Sequence, residues 1–144
     1  MKTIQFLGKS RFLNKTQRNQ LRKLLTGVAK SKGHKILELT YVFVNDETLH
    51  GINMEHLQHD TYTDIITFDL NDGEPNVVVG EIYISVDRVK ENAINLNQPE
   101  EKEMVRVISH GLLHLLGLKD KTPTQAKEMR QEEEACLSLW TSLN

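Results

Sequence analysis

"SHGLLHLLGLKDK", residues 109–121, sets two histidines four apart in a run of leucines, then turns through glycine and lysine to an aspartate. On an α-helix, residues i and i+4 share a face about one turn apart, so His110 and His114 point the same way. A polar ring buried without a partner is costly, so these imidazoles need a hydrogen-bond network, a substrate or a metal ion. Gly117 tolerates the left-handed conformation of a helix C-terminus and can turn the chain back. The reversed chain then carries Asp120 toward the same point. Two histidines and an aspartate at ligand spacing, with a glycine turn between them, favour a metal: one zinc-type ion per chain on His110, His114 and Asp120.

The spacing follows the long zincin pattern H-E-x-x-H-x-x-G-x-x-H with two changes. Asp120 stands at the third ligand position. Gly111 stands where a peptidase keeps the glutamate that activates water, which argues against peptide hydrolysis. The leucines around the pair place the site half-sunk at the C-terminal end of a core helix. His34, His50, His56 and His59 lack ligand spacing and read as surface or loop residues.

Outward from this helix the chain alternates strands and helices. Residues 3–8 read as a strand. Asn14 caps a helix with Gln17 in a capping-box arrangement, and Leu21, Leu24, Leu25 and Val28 follow the helical period up to Gly33. Residues 35–44 are β-branched and aromatic, hence a strand, and Asn45 caps a helix after it. Strands over 63–70 and 77–85 flank the turn "NDGEPN", with Gly80 marking a bulge or a close approach. Ser85 caps a helix, Pro99 opens the histidine helix, and Thr122-Pro123 starts a last one with Met129, Cys136 and Trp140 on its apolar stripe. The order β-α-β-α-β-β-α-α-α predicts a single small α+β domain over 1–144, with about four strands covered by helices.

At 144 residues the chain can bury a proper core. No apolar run approaches the roughly 20 residues of a membrane span, and no signal peptide is evident. Cys136, the lone cysteine, fits a reducing compartment and reads as a small core hydrophobe. Charge is segregated: the first 37 residues carry +10 and the rest −12. This is either a basic surface for a polyanion or a solvated face offset by the acidic half.

"HGLLHLLGLKD" resembles the signature H-G-x-L-H-L-x-G-Y-D-H of the YbeY endoribonucleases, the rRNA maturation factors. "INMEHLQHDTYTDIITFDL" is similar to the family block ending T-D-V-L-S-F-P, through Asn53, Asp60, Thr63, Asp64 and Phe68, and "VVGEIYIS" to L-G-D-I-x-I-S. The resemblance implies an α+β metalloprotein with one zinc-type ion. It also implies cleavage of single-stranded RNA, in 16S rRNA 3′-end maturation and ribosome quality control, on or near the small ribosomal subunit. No nucleotide cofactor is implied, and His114 is taken as catalytic. The chain departs from the pattern at Asp120 and Lys119, and Leu57 stands where the family keeps a functional arginine.

On this reading, a bound cation lowers the pKa of a water and stabilises phosphoryl charge. Asp64 and Asp69 are candidates for proton removal, and Lys119 and Lys121 are the nearest cations in sequence. Arg18 and Arg22 lie off the apolar stripe and are free to meet RNA. The alternatives are a metal-stabilised ribosome assembly factor with little catalysis, and a hydrolase of another substrate class.

Overall fold

The computed structural model describes residues 3–10, 13–58 and 61–143; Lys2, Arg11, His59 and Asp60 lie outside them. Element order is β1 (Ile4–Leu7), α1 (Lys15–Ser31), β2 (Lys35–Val44), α2 (Asp46–Leu57), β3 (Ile65–Asp69), β4 (Val77–Ser85), α3 (Val86–Asn95), α4 (Glu100–Leu115) and α5 (Pro123–Leu143). This is the expected small α+β arrangement: β2 and β4 have the expected bounds, and β1 and β3 are a residue or two shorter at their ends. Local signals set the boundaries. Asn14 and Gln17 close a full capping box, and Asn45 and Ser85 accept from Thr48 N and Arg88 N.

The sheet runs β1-β2-β4-β3, with β1, β2 and β4 parallel and β3 antiparallel at the edge. Alternate residues face the helices: Ile4 and Phe6 on β1, Leu39, Tyr41 and Phe43 on β2, Val78, Ile82 and Ile84 on β4. A register shift between Ile36 and Glu38 lets Ile36 join that face as well. Fully buried leucines such as Leu21, Leu112 and Leu113 each contribute about 1.5–3 kcal/mol.

Two glycines set how closely α4 lies on the sheet. A Cβ at Gly111 would stand 2.8 Å from Ile82 Cδ1, and one at Gly80 would stand 2.8 Å from both Leu115 Cδ1 and the Phe68 carbonyl oxygen. Gly80 is therefore the close approach anticipated, and the sheet's irregularity falls in β2 instead. Gly111 faces the sheet, so this position cannot present a water-activating carboxylate to the histidines. Tyr41, fully buried, ties the layers by donating to the Ile108 carbonyl at 2.8 Å.

Helix α5 packs against α1 and α4 through Met129, Cys136, Leu137 and Trp140, as the stripe required. Burial raises the Cys136 thiol above its usual pKa, which fits a core residue rather than a nucleophile.

Candidate metal centre and cleft

Helix α4 brings His110 and His114 onto one face, with ring centroids 4.5 Å apart. The chain leaves the helix through Gly117 at φ +101 and returns Asp120 to the pair. Asp120 Oδ2 lies 3.5 Å from His110 Nε2 and 3.4 Å from His114 Nε2. Around a tetrahedral ion with bonds of about 2.0–2.1 Å, neighbouring ligand atoms are about 3.4 Å apart. One ligand atom from each of the three residues lies within 4.8 Å of the others, so the group could hold a metal ion.

Both rings are held from behind. His114 Nδ1 donates to the Leu118 carbonyl at 3.0 Å, and His110 Nδ1 donates to the carboxylate of Glu133 on α5. Each ring thereby keeps Nε2 free for the shared centre, the arrangement in which outer partners fix the tautomer of ligating histidines. The donor set therefore fits a zinc-type ion in chemistry as well as spacing.

Glu133 belongs to a buried charge network that sequence reasoning missed. Arg106 holds Glu103 through Nε at 2.8 Å and Nη2 at 2.7 Å, and reaches Glu133 through Nη1 at 3.1 Å. The hydrogen bonds to Glu103 come first among the causes that keep the Arg106 guanidinium above its ordinary pKa. Burial alone would raise the Glu133 carboxyl. The hydrogen bond from His110 and the charge of Arg106 outweigh it and hold Glu133 below the usual carboxylate range. One signal could have located this residue: Met129, Glu133, Cys136 and Trp140 are spaced three or four apart, so Glu133 sits on the apolar stripe of α5.

An open cleft of about 700 Å³ adjoins the centre, and His114, Asp120, Asp69, Thr63, Leu57 and Lys121 are among its lining residues. Asp64 and Asp69, equal candidates in the sequence, are separated here. Asp69 lines the cleft. Asp64 instead accepts from Asn92 Nδ2 at 3.2 Å and lies 4.0 Å from Arg106 Nη2. Burial raises the Asp64 carboxyl against the opposing pull of Arg106. The lysines separate too: Lys121 lines the cleft and Lys119 does not. Leu57, 42% exposed, presents an apolar side chain there.

One expectation needs adjustment. Arg22 is not free: its Nε donates to the Ile4 carbonyl at 2.9 Å and its guanidinium lies 5.3 Å from the Phe6 ring centre. The amphipathic pattern places it off the stripe, but its long stem reaches across to β1. His50 and His56 have ring partners, Tyr62 at 4.1 Å and Phe68 at 6.0 Å, and His34 bonds the Lys32 carbonyl.

Fold and site together describe an α+β protein with a His-His-carboxylate cluster, able to hold one metal ion at the edge of an open cleft. The chain belongs to the YbeY endoribonuclease family: the family model for endoribonuclease YbeY matches residues 4–141. Endoribonuclease YbeY of Cytophaga hutchinsonii is 45% identical over 137 residues, covering 95% of each chain. That of Christiangramia forsetii is 43% identical over 140 residues, covering 95% of this chain and 94% of its own. Among solved structures, TM1509 from Thermotoga maritima is similar with a TM-score of 0.68 and 27% identity, over 95% of this chain and 88% of that one. Endoribonucleases cut phosphodiester bonds within RNA, so RNA is the substrate class. None of the helices among the described residues is long and apolar enough to cross a membrane.

Proposed function

We propose that residues 1–144 act as one domain, a zinc-dependent endoribonuclease that cleaves single-stranded RNA in 16S rRNA 3′-end maturation and ribosome quality control. It works in the cytoplasm, on or near the small ribosomal subunit. His110, His114 and Asp120 hold one ion per chain, and His114, which also lines the cleft, is assigned the catalytic role. The observation that carries this reading is the three-residue cluster within 4.8 Å at the cleft edge.

A zinc ion bound there supplies Lewis acidity and a water of lowered pKa. The chain's own residues do the rest. Glu133 and the Leu118 carbonyl hold the two imidazoles through Nδ1 and keep each Nε2 turned toward the centre. Asp69 is the carboxylate in the cleft able to take a proton, since Asp64 is engaged by Asn92 and Arg106. Lys121 supplies positive charge for the phosphate, and Thr63 adds a hydroxyl to the cleft wall.

The test strips the protein of metal with a chelator, restores one equivalent of zinc, and follows a single-stranded RNA carrying the 16S 3′ end beside its duplex. Cleavage of the single strand that disappears on stripping, returns with zinc and is lost in His114→Ala is the expected result. Intact RNA with folded, metal-loaded protein overturns the reading.

A further inference from the structure

A second recess lies where β1 hands over to α1, away from the metal centre. Strands β1 and β2 are parallel and joined through α1, so this handover falls at the carboxyl ends of parallel strands. In open α/β sheets that is where ligands bind, and a helix N-terminus there favours negative charge. The first turn of α1, a 17-residue helix, contains no acidic residue.

The recess is a notch of about 330 Å³ whose lining includes Lys9, Ser10 and Arg18, with Phe6 and Phe43. Gly8 at φ +90 turns the chain tightly against β2: a Cβ there would stand 2.4 Å from the Phe43 carbonyl oxygen. Ser10 Oγ is buried and has no hydrogen-bond partner. A buried hydroxyl left unpaired costs free energy that an arriving acceptor would recover.

Lys9 and Arg18 form no ion pair among the described residues, whereas Arg22 is committed to Ile4 and Phe6 and Lys32 is paired with Glu132. Burial lowers the Arg22 guanidinium most, and the charge of neighbouring Arg18 adds to it.

We infer that Lys9, Ser10 and Arg18 form a phosphate-binding notch that anchors a backbone phosphate of single-stranded RNA away from the metal centre. It rests on the RNA-cleaving reading above. Gln17, next to Arg18, bonds Glu101 at the start of α4 at 3.1 Å, while His114 lies 13 residues further along that helix. At about 1.5 Å per residue the two points are about 20 Å apart. A stacked strand rising about 3.4 Å per nucleotide needs about six nucleotides to span that distance.

The test measures binding of a labelled 12-nucleotide single-stranded RNA and of a trinucleotide to zinc-loaded protein at about 0.1 M salt. Single-strand binding changes with a log–log salt slope of about 0.7 per phosphate contact, so each lost cation costs about 5-fold at that salt. The double variant Lys9→Gln/Arg18→Gln should bind the 12-mer about 25-fold more weakly, with the slope smaller by about 1.4. Its trinucleotide binding and zinc content should not change. Ser10→Ala should weaken the 12-mer without altering the slope. Lys90→Gln/Lys127→Gln, on exposed positions of α3 and α5, is the control for net charge.

Equal 12-mer binding by wild type and double variant overturns the notch and leaves the RNA reading intact. An equal loss in Lys90→Gln/Lys127→Gln also overturns it, as an effect of net charge. Orthophosphate that binds wild type but not Arg18→Gln, with 12-mer affinity unchanged, would make the notch a site for free phosphate and overturn the RNA anchor. A wild type that binds neither RNA removes the RNA reading itself.

Discussion

Truncating Glu133 separates the positioning of the metal ligands from the integrity of the core. Glu133 is 5% exposed and touches two groups, the Nδ1–H of His110 and the Nη1–H of Arg106. Glu133→Ala leaves His110 Nδ1 with no acceptor and Arg106 with Glu103 and the more distant Asp64. Removing one partner of a buried pair costs about 3–5 kcal/mol. Glu103 still grips Arg106 by two hydrogen bonds, so the lower end, about 3 kcal/mol, is expected. At about 2–4 °C per kcal/mol, the metal-free variant should melt about 6–12 °C lower than wild type. Loss of an outer partner weakens metal affinity about 10–100-fold, which removes about 1.4–2.7 kcal/mol of zinc-induced stabilisation at saturation. Glu133→Gln retains an acceptor oxygen for His110 and should recover most of that affinity. The assay pairs thermal unfolding with and without zinc against a competitive zinc titration. A Glu133→Ala protein that melts low yet binds zinc as tightly as wild type would refute the positioning role and leave Glu133 a purely structural residue.

Elemental analysis should find about one zinc-type ion per wild-type chain and only traces in His114→Ala; equal traces in both would return the histidines to a hydrogen-bond network. Gly80→Ala should lower stability by about 1–3 kcal/mol in urea unfolding, because the Phe68 carbonyl it meets is backbone and cannot swing aside. Leu57→Arg should raise RNA cleavage, by up to about 100-fold if the cation meets developing phosphoryl charge, and Lys121→Ala should lower it; no change in either would place that charge elsewhere. For Asp64, the folded-state carboxyl is raised by burial, so its stability contribution is fully present below the unfolded pKa and is lost as pH rises through the folded value. Asp64→Asn should therefore melt higher than wild type at neutral pH and converge with it at acid pH, and thermal melts across pH 3–8 check this.

How much was legible follows from the range of each signal. The capping box at Asn14, the stripe of α1 and the His110–His114 pair with Gly117 are encoded within a few residues, so pattern alone finds them. Glu133 and Arg106 are 27 residues apart in the chain and meet only when α4 and α5 pack. "RQEEEAC" reads as a solvated charge run unless the spacing of its neighbours is followed. The roles of Asp64 and Asp69 depend on which face of the edge strand and its lead-in each occupies. Arg22 misleads because a helical wheel records direction but not the reach of a long side chain.

Two of the three candidate ligands lie on α4, seated against the sheet by Gly111, while the third lies on the short turn after Gly117, with its side chain 38% exposed. Entry or release of an ion therefore needs only the turn that carries Asp120 to move. The lifetime of a bound ion is then set by the opening of one turn rather than by unfolding, so exchange with a chelator should run far faster than global unfolding. Metal supply could thereby govern how many finished molecules are active at a given moment, without any of them being remade.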